Sequence, residues 1–279
     1  MSLEPVTSDV DVKADVRRAV ASLADAPPAT GTSTSDLSID EELNLHSIGW
    51  EPVELVSGVS VFSVPVGMWN WGQGEIMAAS EAHQLAFKNA IARLNNDAAK
   101  VGGHGVVGVH VEREVYSTHV EISLLGTAVR PVGAKPVEAL HVFVSDLSAR
   151  DFTLLMVAGW QPLGLASGAS FVYAPRRSVG TVLQQQSQNV ELRSYTEAMY
   201  SARETAMTRM QEDALALKGD GVVEVKLVEG PMSFASHAVG FAVWGTVVHL
   251  TKESHQLVRP TMVVSLNDFD VSFDPASLA

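Results

Sequence analysis

The chain has 279 residues, a formal net charge of −13, 46% hydrophobic residues and no cysteine. So acidic a balance argues against a nucleic-acid-binding protein, which needs clustered Lys and Arg to contact phosphates. The lack of thiols excludes disulfides, cysteine nucleophiles and thiolate metal sites, while the apolar fraction suffices for one or two folded cores.

Residues 1–35 predict a flexible N-terminal segment rather than a targeting signal. Asp9, Asp11 and Asp15 stand where a signal peptide would be basic, and no apolar stretch follows them. Val10 to Leu23 has the spacing of a short helix, and a Pro-rich linker of small residues follows it. Because no run of about 18 apolar residues occurs, we expect a cytoplasmic protein without a membrane partner.

The remainder of the chain contains an internal duplication. Three motifs recur at one offset of 110 residues: Asp36-Leu37-Ser38 as Asp146-Leu147-Ser148, Gly49-Trp50-x-Pro52 as Gly159-Trp160-x-Pro162, and Leu55-x-Ser57-Gly58 as Leu165-x-Ser167-Gly168. Further along, Gly105-Val106-Val107 recurs as Gly221-Val222-Val223, so the offset has grown to 116. Motifs that repeat in the same order predict two duplicated domains. We place them at residues 36–135 and 136–250, followed by a C-terminal strand and tail at 251–279.

Each repeat predicts an extended stretch, a loop, a long helix and two further strands. The extended stretches are Val53 to Val64 and Leu163 to Tyr173, and the Ser-Gly pair inside each predicts a turn. The strand pairs are Val106 to Glu112 with His119 to Val129, and Val222 to Val228 with Ala238 to Val248. The buried stripes of the helices are Ala79, His83, Ala86, Ala90, Leu94, Ala98 and Val101, and Tyr195, Met199, Ala202, Ala206, Met210, Ala214 and Leu217. The many alanines indicate helices that lie close against a sheet, ended by Gly102-Gly103 and by Gly219.

The second repeat resembles the YbjQ-like family, whose domains carry a heavy-metal-binding label. The resemblance rests on Tyr195-x3-Met199-x2-Ala202-Arg203-x2-Ala206-x3-Met210-x3-Ala214, on Gly219-Asp220-Gly221-Val222-Val223 and on Gly245-Thr246-Val247-Val248. The first repeat keeps Gly105-Val106-Val107-Gly108-Val109 and Gly126-Thr127-Ala128-Val129, but it has Ala79 in place of the helical Tyr and Ala86-Phe87 in place of Ala-Arg. The resemblance implies an α+β fold of two tandem domains and a ring-like homo-oligomer, often a pentamer.

One face of the strand pair in the first repeat is a candidate divalent-metal site. If Val107, Val109 and Val111 point to the core, then His110 and Glu112 point away from it. A hairpin turning near Tyr116 would place His110 opposite Glu121 and Glu112 opposite His119. Two His and two Glu side chains can hold Zn²⁺ without cysteine. The alternative is a solvated face with cross-strand charge pairs, which is common on half-exposed sheets.

Two other features have open interpretations. His83 lies on the apolar stripe, either as a metal ligand or, more commonly, as a packed and hydrogen-bonded core residue. Trp69 and Trp71 lie in a Gly-rich loop before the first long helix, either as a ligand-stacking or partner-binding site or as a plug over that helix. Gly103-His104-Gly105-Val106-Val107-Gly108 spells a dinucleotide-binding pattern, but a helix precedes it and a strand follows, which is the reverse of what that fingerprint requires.

Three functions remain open from the sequence. The first is a non-enzymatic cytoplasmic homo-oligomer that binds a metal ion or a small ligand of unknown identity. The second is a metal-assisted hydrolase that uses the His/Glu face, although no residue has an activating partner at a fixed motif spacing. The third is an acidic scaffold that recruits a basic protein partner.

Overall fold

Four helices and eight strands form in the part of the chain that the structure, a computed structural model, describes: residues 34–64, 74–116, 118–173, 191–232 and 235–252. The helices are α1 (Ile39–Ser47), α2 (Met77–Lys100), α3 (Ala149–Val157) and α4 (Arg193–Ala216). The strands are β1 (Trp50–Ser63), β2 (Gly74–Glu75), β3 (Gly105–Val115), β4 (His119–Pro131), β5 (Phe143–Val144), β6 (Trp160–Tyr173), β7 (Gly221–Met232) and β8 (Ala235–Leu250). The predicted α+β class, the long helices and the strand pairs are confirmed.

The strands form two four-stranded sheets that exchange their short edge strands. The first sheet has the order β1-β4-β3-β5 and the second has the order β2-β6-β8-β7. Strand β5 follows the first repeat in sequence but pairs parallel with β3, and β2 belongs to the first repeat but pairs antiparallel with β6. Each repeat therefore contributes two residues to the sheet of the other.

The two sheets and the two long helices form alternating layers. Helix α2 packs on the first sheet through Leu94, which lies in one core with Val56, and on the second sheet through Phe87, which contacts Trp244. Helix α4 covers the opposite face of the second sheet with Ala202, Ala206 and other small residues of its stripe. The order is thus first sheet, α2, second sheet, α4, and α2 is buried on two sides.

The turn predicted at each Ser-Gly pair is wrong, because β1 and β6 run straight through Ser57-Gly58 and Ser167-Gly168. These glycines are instead the points where the helices touch the strands. A Cβ atom on Gly58 would lie 2.2 Å from the carbonyl oxygen of Ala90. The predicted helix stripes are largely confirmed, although Leu217 is exposed and Lys218, rather than Gly219, takes the positive φ after α4.

The short helices α1 and α3 were not predicted, although each carries an N-terminal signal. Ser38 caps α1 in a capping box with Glu41, and Ser148 accepts a hydrogen bond from the Asp151 N–H at the start of α3. Both helices lie over one end of the outer face of the first sheet, where Leu45 and Phe152 are buried. The repeated Asp-Leu-Ser motif therefore marks the start of a helix in both repeats.

Several predicted features lie outside the described residues. They are the N-terminal segment with its helix at Val10 to Leu23, the Trp69 and Trp71 loop, and most of the C-terminal strand and tail at 251–279. These remain predictions.

Candidate functional site

The junction between the two repeats is built on a bulge in β3. The register of β3 against β4 shifts between Val107 and His110, where Gly108 has a φ of +64°. The extra residue turns two N–H groups outward, away from β4. Gly108 N–H donates to Leu147 O at 2.7 Å, and Val109 N–H donates to Ser145 O at 3.1 Å. The Asp-Leu-Ser segment of the second repeat thus closes the edge of the sheet of the first.

The same segment is tied to the second sheet by Thr246. The Asp146 N–H donates to Thr246 Oγ1 at 3.1 Å, and the Thr246 hydroxyl donates to Asp146 Oδ1 at 2.6 Å. The Asp146 side chain is fully buried, and Lys226 Nζ lies 3.2 Å from its Oδ2, which balances the buried charge. In the first repeat, the Asp36 N–H donates to Thr127 Oγ1 at 3.1 Å. In both repeats, therefore, the aspartate of the Asp-Leu-Ser motif hydrogen-bonds to the threonine of the Gly-Thr motif.

A second contact in the opposite direction joins β2 to the second repeat. Arg209 of α4 donates from Nη1 and Nη2 to the two carboxylate oxygens of Glu75, and its Nη1 also donates to Ala169 O at 2.7 Å. Ser170 donates to Glu75 Oε1 at 3.1 Å. Burial alone would raise the pKa of Glu75, but hydrogen bonds from Arg209, Ser80 and Ser170 and the charge of Arg209 hold it below its usual value. The bidentate pair therefore stays ionised and fixes the first repeat on the second.

Neither Glu75 nor Arg209 was predicted as a site residue. A signal for them exists in the duplication, because the offset of 116 that relates the Gly-Val-Val motifs also relates Glu75 to Glu191 and Arg93 to Arg209. Two charged pairs at matching positions of a duplicated chain point to a contact that each repeat can make.

His83 is buried between the two sheets. Its ring is 5.9 Å from that of Phe171 in the second sheet and stacks at 6.4 Å on Phe87. The expectation of a packed His is confirmed, but neither ring nitrogen has a hydrogen-bond partner among the described residues. Burial lowers the pKa of His83 to about 3, and the charge of Arg113 adds to this effect. The side chain is therefore neutral at pH 7 and acts as a packing residue.

The predicted metal face exists, but its register is wrong. His110 pairs with Leu125 and Glu112 with Ser123, whereas Glu121 faces Glu114. The difference arises because the hairpin is centred between Tyr116 and His119 rather than near Tyr116 itself. The bulge at Gly108 also turns Val107 to the outer face, where it packs with Phe152. His110 and Glu112 point away from the core, as predicted.

The structure brings His110 and Glu112 together, with Nε2 and Oε1 3.9 Å apart and both side chains about 70% exposed. His119 lies six residues along β4 from Leu125, the partner of His110, which is a distance of roughly 20 Å. Its ring stacks at 4.5 Å on Tyr116, and Thr118 Oγ1 lies 2.9 Å from its Nδ1. Among the described residues no three His, Asp or Glu side chains are grouped as ligands for one ion. Metal binding at this face stays a prediction.

A cleft of about 310 Å³ opens at the junction. Both Asp-Leu-Ser segments line it, together with the bulge of β3 and a matching bulge of β7, where the register against β8 shifts between Val223 and Lys226. The charged or titratable side chains of the cleft are Asp36, Glu41, His110, Asp146, Glu224 and Lys226. Asp146 and Lys226 already pair with each other, so the surplus charge of the cleft is negative. The described helices include none long and apolar enough to span a membrane.

The fold and the junction define a protein of two fused α+β units, each a sheet crossed by one long helix, with exchanged edge strands. The family described as YbjQ_1, "Putative heavy-metal-binding", matches residues 55–131 and 177–251. The chain belongs to this family and contains two of its domains in tandem.

The chain is similar to the encapsulin nanocompartment protein Rv1762c of Mycobacterium tuberculosis, with 34% identity over 244 residues that cover 84% of this chain and 92% of that protein. It is also similar to a UPF0145 protein of Halorubrum lacusprofundi, with 37% identity over 93 residues, and to one of Halobacterium salinarum, with 33% identity over 93 residues. Each of these two alignments covers 32% of this chain and 85% of the relative. No solved structure matches the chain.

Proposed function

We propose that the chain is a non-enzymatic structural subunit that assembles with further copies of itself and associates with a protein nanocompartment. One observation carries the self-assembly: a sheet face that α2 covers in the second repeat has no long helix over it among the described residues of the first, where α1 and α3 cover only one end. The comparison is direct because the two repeats have the same fold and the same register.

The covered face belongs to β6 and β8. Ala169, Phe171 and Trp244 lie on it, all buried beneath α2. Their counterparts in the first repeat, by the offsets of 110 and 119 residues, are Val59, Val61 and Leu125. Val59 and Val61 are 42% and 56% exposed, and Leu125 is exposed beside them. Exposed aliphatic side chains on one sheet face are typical of a surface that another protein covers.

The association with a compartment rests on the similarity to the encapsulin nanocompartment protein, which extends over both repeats of this chain. A relation that covers 92% of that protein supports a shared role of the whole tandem unit rather than of one domain. No contact among the described residues favours the hydrolase function or the acidic-scaffold function over assembly.

Two measurements test the proposal. Native mass spectrometry of the purified chain at micromolar concentration is expected to give a multiple of 29.8 kDa. A mass of one chain would overturn the self-assembly. Density-gradient fractionation of source-cell lysate, followed by an immunoblot, is expected to place the chain in the compartment fraction. Recovery only in the light fractions, at the mass of its own oligomer, would overturn the association with a compartment.

A further inference from the structure

We infer that successive copies of the chain join head to tail by repeating the internal junction, so that Glu191 of one copy pairs with Arg93 of the next. In the same contact, the Ser35-Asp36-Leu37 segment of the next copy closes the bulge of β7. This inference rests on the proposed self-assembly and names its contact residues.

The first step is the ion pair. By the offset of 116 residues, Glu191 corresponds to Glu75, and Arg93 corresponds to Arg209. Arg93 donates to the carbonyl oxygen of Val59 as Arg209 donates to that of Ala169. Arg93 is exposed and has no carboxylate partner among the described residues, whereas Arg209 holds Glu75. The first repeat therefore positions Arg93 for the contact, but no carboxylate among the described residues pairs with it.

The acid half is formed in the second repeat. Glu191 is exposed just before α4, and Oε1 of its carboxylate accepts a hydrogen bond from the Thr196 hydroxyl at 3.1 Å. The pKa of Glu75 is lowered in part by a hydrogen bond from Ser80, the counterpart of Thr196. Two oppositely charged halves, one in each repeat and both exposed, match a contact with a second copy.

The second step is the bulge of β7. Glu224, the counterpart of Gly108, has a φ of +51° although it is not glycine, so the bulge persists at a conformational cost. Val225 is 43% exposed, whereas its counterpart Val109 is 3% exposed beneath the second repeat's segment. Within the described residues β7 has only β8 as a neighbour, whereas β3 has both β4 and β5. The edge of β7 is thus open at the point where the edge of β3 is closed.

The third step is the segment that would close it. Ser35-Asp36-Leu37-Ser38 and Ser145-Asp146-Leu147-Ser148 are identical in sequence. Ser145 and Asp146 are buried, whereas Ser35 and Asp36 are exposed. The segment at Asp36 already bonds to Thr127 in its own repeat, as Asp146 bonds to Thr246. Its outer side is therefore presented to a second chain.

Both contacts would join the second repeat of one copy to the first repeat of the next copy. Within one chain, Glu75 and α2 of the first repeat contact the second repeat, and the segment at Asp146 of the second repeat contacts β3 of the first. The second repeat of one copy would contact the first repeat of the next copy in the same way. Such a contact joins two different surfaces, so it generates a ring if the rotation closes and a filament if it does not.

Charge reversal tests the pair. The variants Arg93→Glu and Glu191→Arg are each expected to lower the fraction of assembled chain at least tenfold, because every junction then joins like charges. Mixed one to one, the two variants are expected to associate again, since the introduced arginine of one then meets the introduced glutamate of the other. Lys100→Glu, at a side chain that is 74% exposed and outside these contacts, is the matched control and is expected to assemble normally.

The readouts are native mass and sedimentation velocity, with far-UV circular dichroism to show that each variant is folded. Because Arg93 also bonds to Val59, Glu191→Arg supplies an independent disruption should Arg93→Glu fail to fold. An unsubstituted chain that remains at 29.8 kDa would overturn the proposed self-assembly itself. An unsubstituted chain that assembles, with variants that assemble equally well or do not associate on mixing, would overturn the head-to-tail pair alone.

Discussion

Gly168 on β6 lies against the backbone of α4, where a Cβ atom would be 2.0 Å from the carbonyl oxygen of Ala206. Likewise, a Cβ atom on Gly58 of β1 would lie 2.2 Å from the carbonyl oxygen of Ala90 in α2. The alanine-rich stripes of both helices face these points, so each helix approaches its sheet more closely than large side chains would permit. The layered packing of the chain depends on this close approach.

We expect Gly168→Ala to lower the free energy of unfolding by about 3 kcal/mol, because the backbone of α4 would have to move away from β6. Gly164→Ala in the same strand is the control, since its Cβ would meet only the flexible Leu217 side chain at 3.4 Å. Urea denaturation of both variants measures the difference. Equal midpoints for the two would contradict the close approach.

Thr246→Val is expected to be much more destabilising than Thr127→Val. Thr246 accepts a hydrogen bond from the Asp146 N–H and donates one to Oδ1 of its buried carboxylate, and loss of the hydroxyl leaves these buried polar atoms without this partner, at a cost of about 2–4 kcal/mol. Thr127 bonds to Asp36, whose side chain reaches water, so we expect a loss of about 1 kcal/mol. Thermal unfolding of the two variants compares them, and a larger effect at Thr127 would count against this role of Thr246.

We expect His83→Met to stabilise the protein and to remove part of its acid sensitivity. The pKa of His83 is about 3 in the folded state against about 6.5 when unfolded, so the unfolded chain binds one more proton between these values. The contribution of the neutral ring to the free energy of unfolding is therefore fully present above about pH 6.5. It decreases as the pH falls, by up to about 1.4 kcal/mol per pH unit, until about pH 3. Met fits because the second repeat has Met199 at this position.

Unfolding free energies of both proteins at pH 7, 5.5 and 4.5 check this expectation. The difference between the His83→Met variant and the unsubstituted protein should widen as the pH falls. A difference that stays constant with pH would show that His83 does not titrate in this way.

If the face of β3 binds a divalent ion, the register predicts that His110 and His119 do not share it. We expect His110→Ala to abolish any binding and His119→Ala to leave it unchanged, because the nearest acidic partner of His110 is Glu112. Calorimetric titration of the metal-stripped protein with Zn²⁺, Ni²⁺ and Cu²⁺ measures this. Equal loss of binding in both variants would require the four residues His110, Glu112, His119 and Glu121 to come together in a different register.

The register error shows what local pattern does not determine. Alternation placed His110 and Glu112 on the outer face, because side chains alternate along any strand. The partners of His110 and Glu112 depend on where the hairpin turns, which alternation does not specify. A glycine inside a valine-rich run is a signal for a bulge, but the bulge at Gly108 changes the pairing of residues 105–107 only. The position of the turn alone moved the pairing of residues 110–115 by four positions and separated the predicted ligands.

The sequence by itself determined that the chain is a duplication, that each repeat is α+β, and that one alanine-rich helix per repeat packs on a sheet. These features follow from the order of motifs and from periodicity, which are local properties of the chain. Only the tertiary structure decided that Ser57-Gly58 and Ser167-Gly168 are helix contacts rather than turns, that β2 and β5 are exchanged, and that Glu75 binds Arg209. Those features join residues as much as 134 positions apart. Their partners are therefore set by how the two repeats pack, which no short stretch of the sequence specifies.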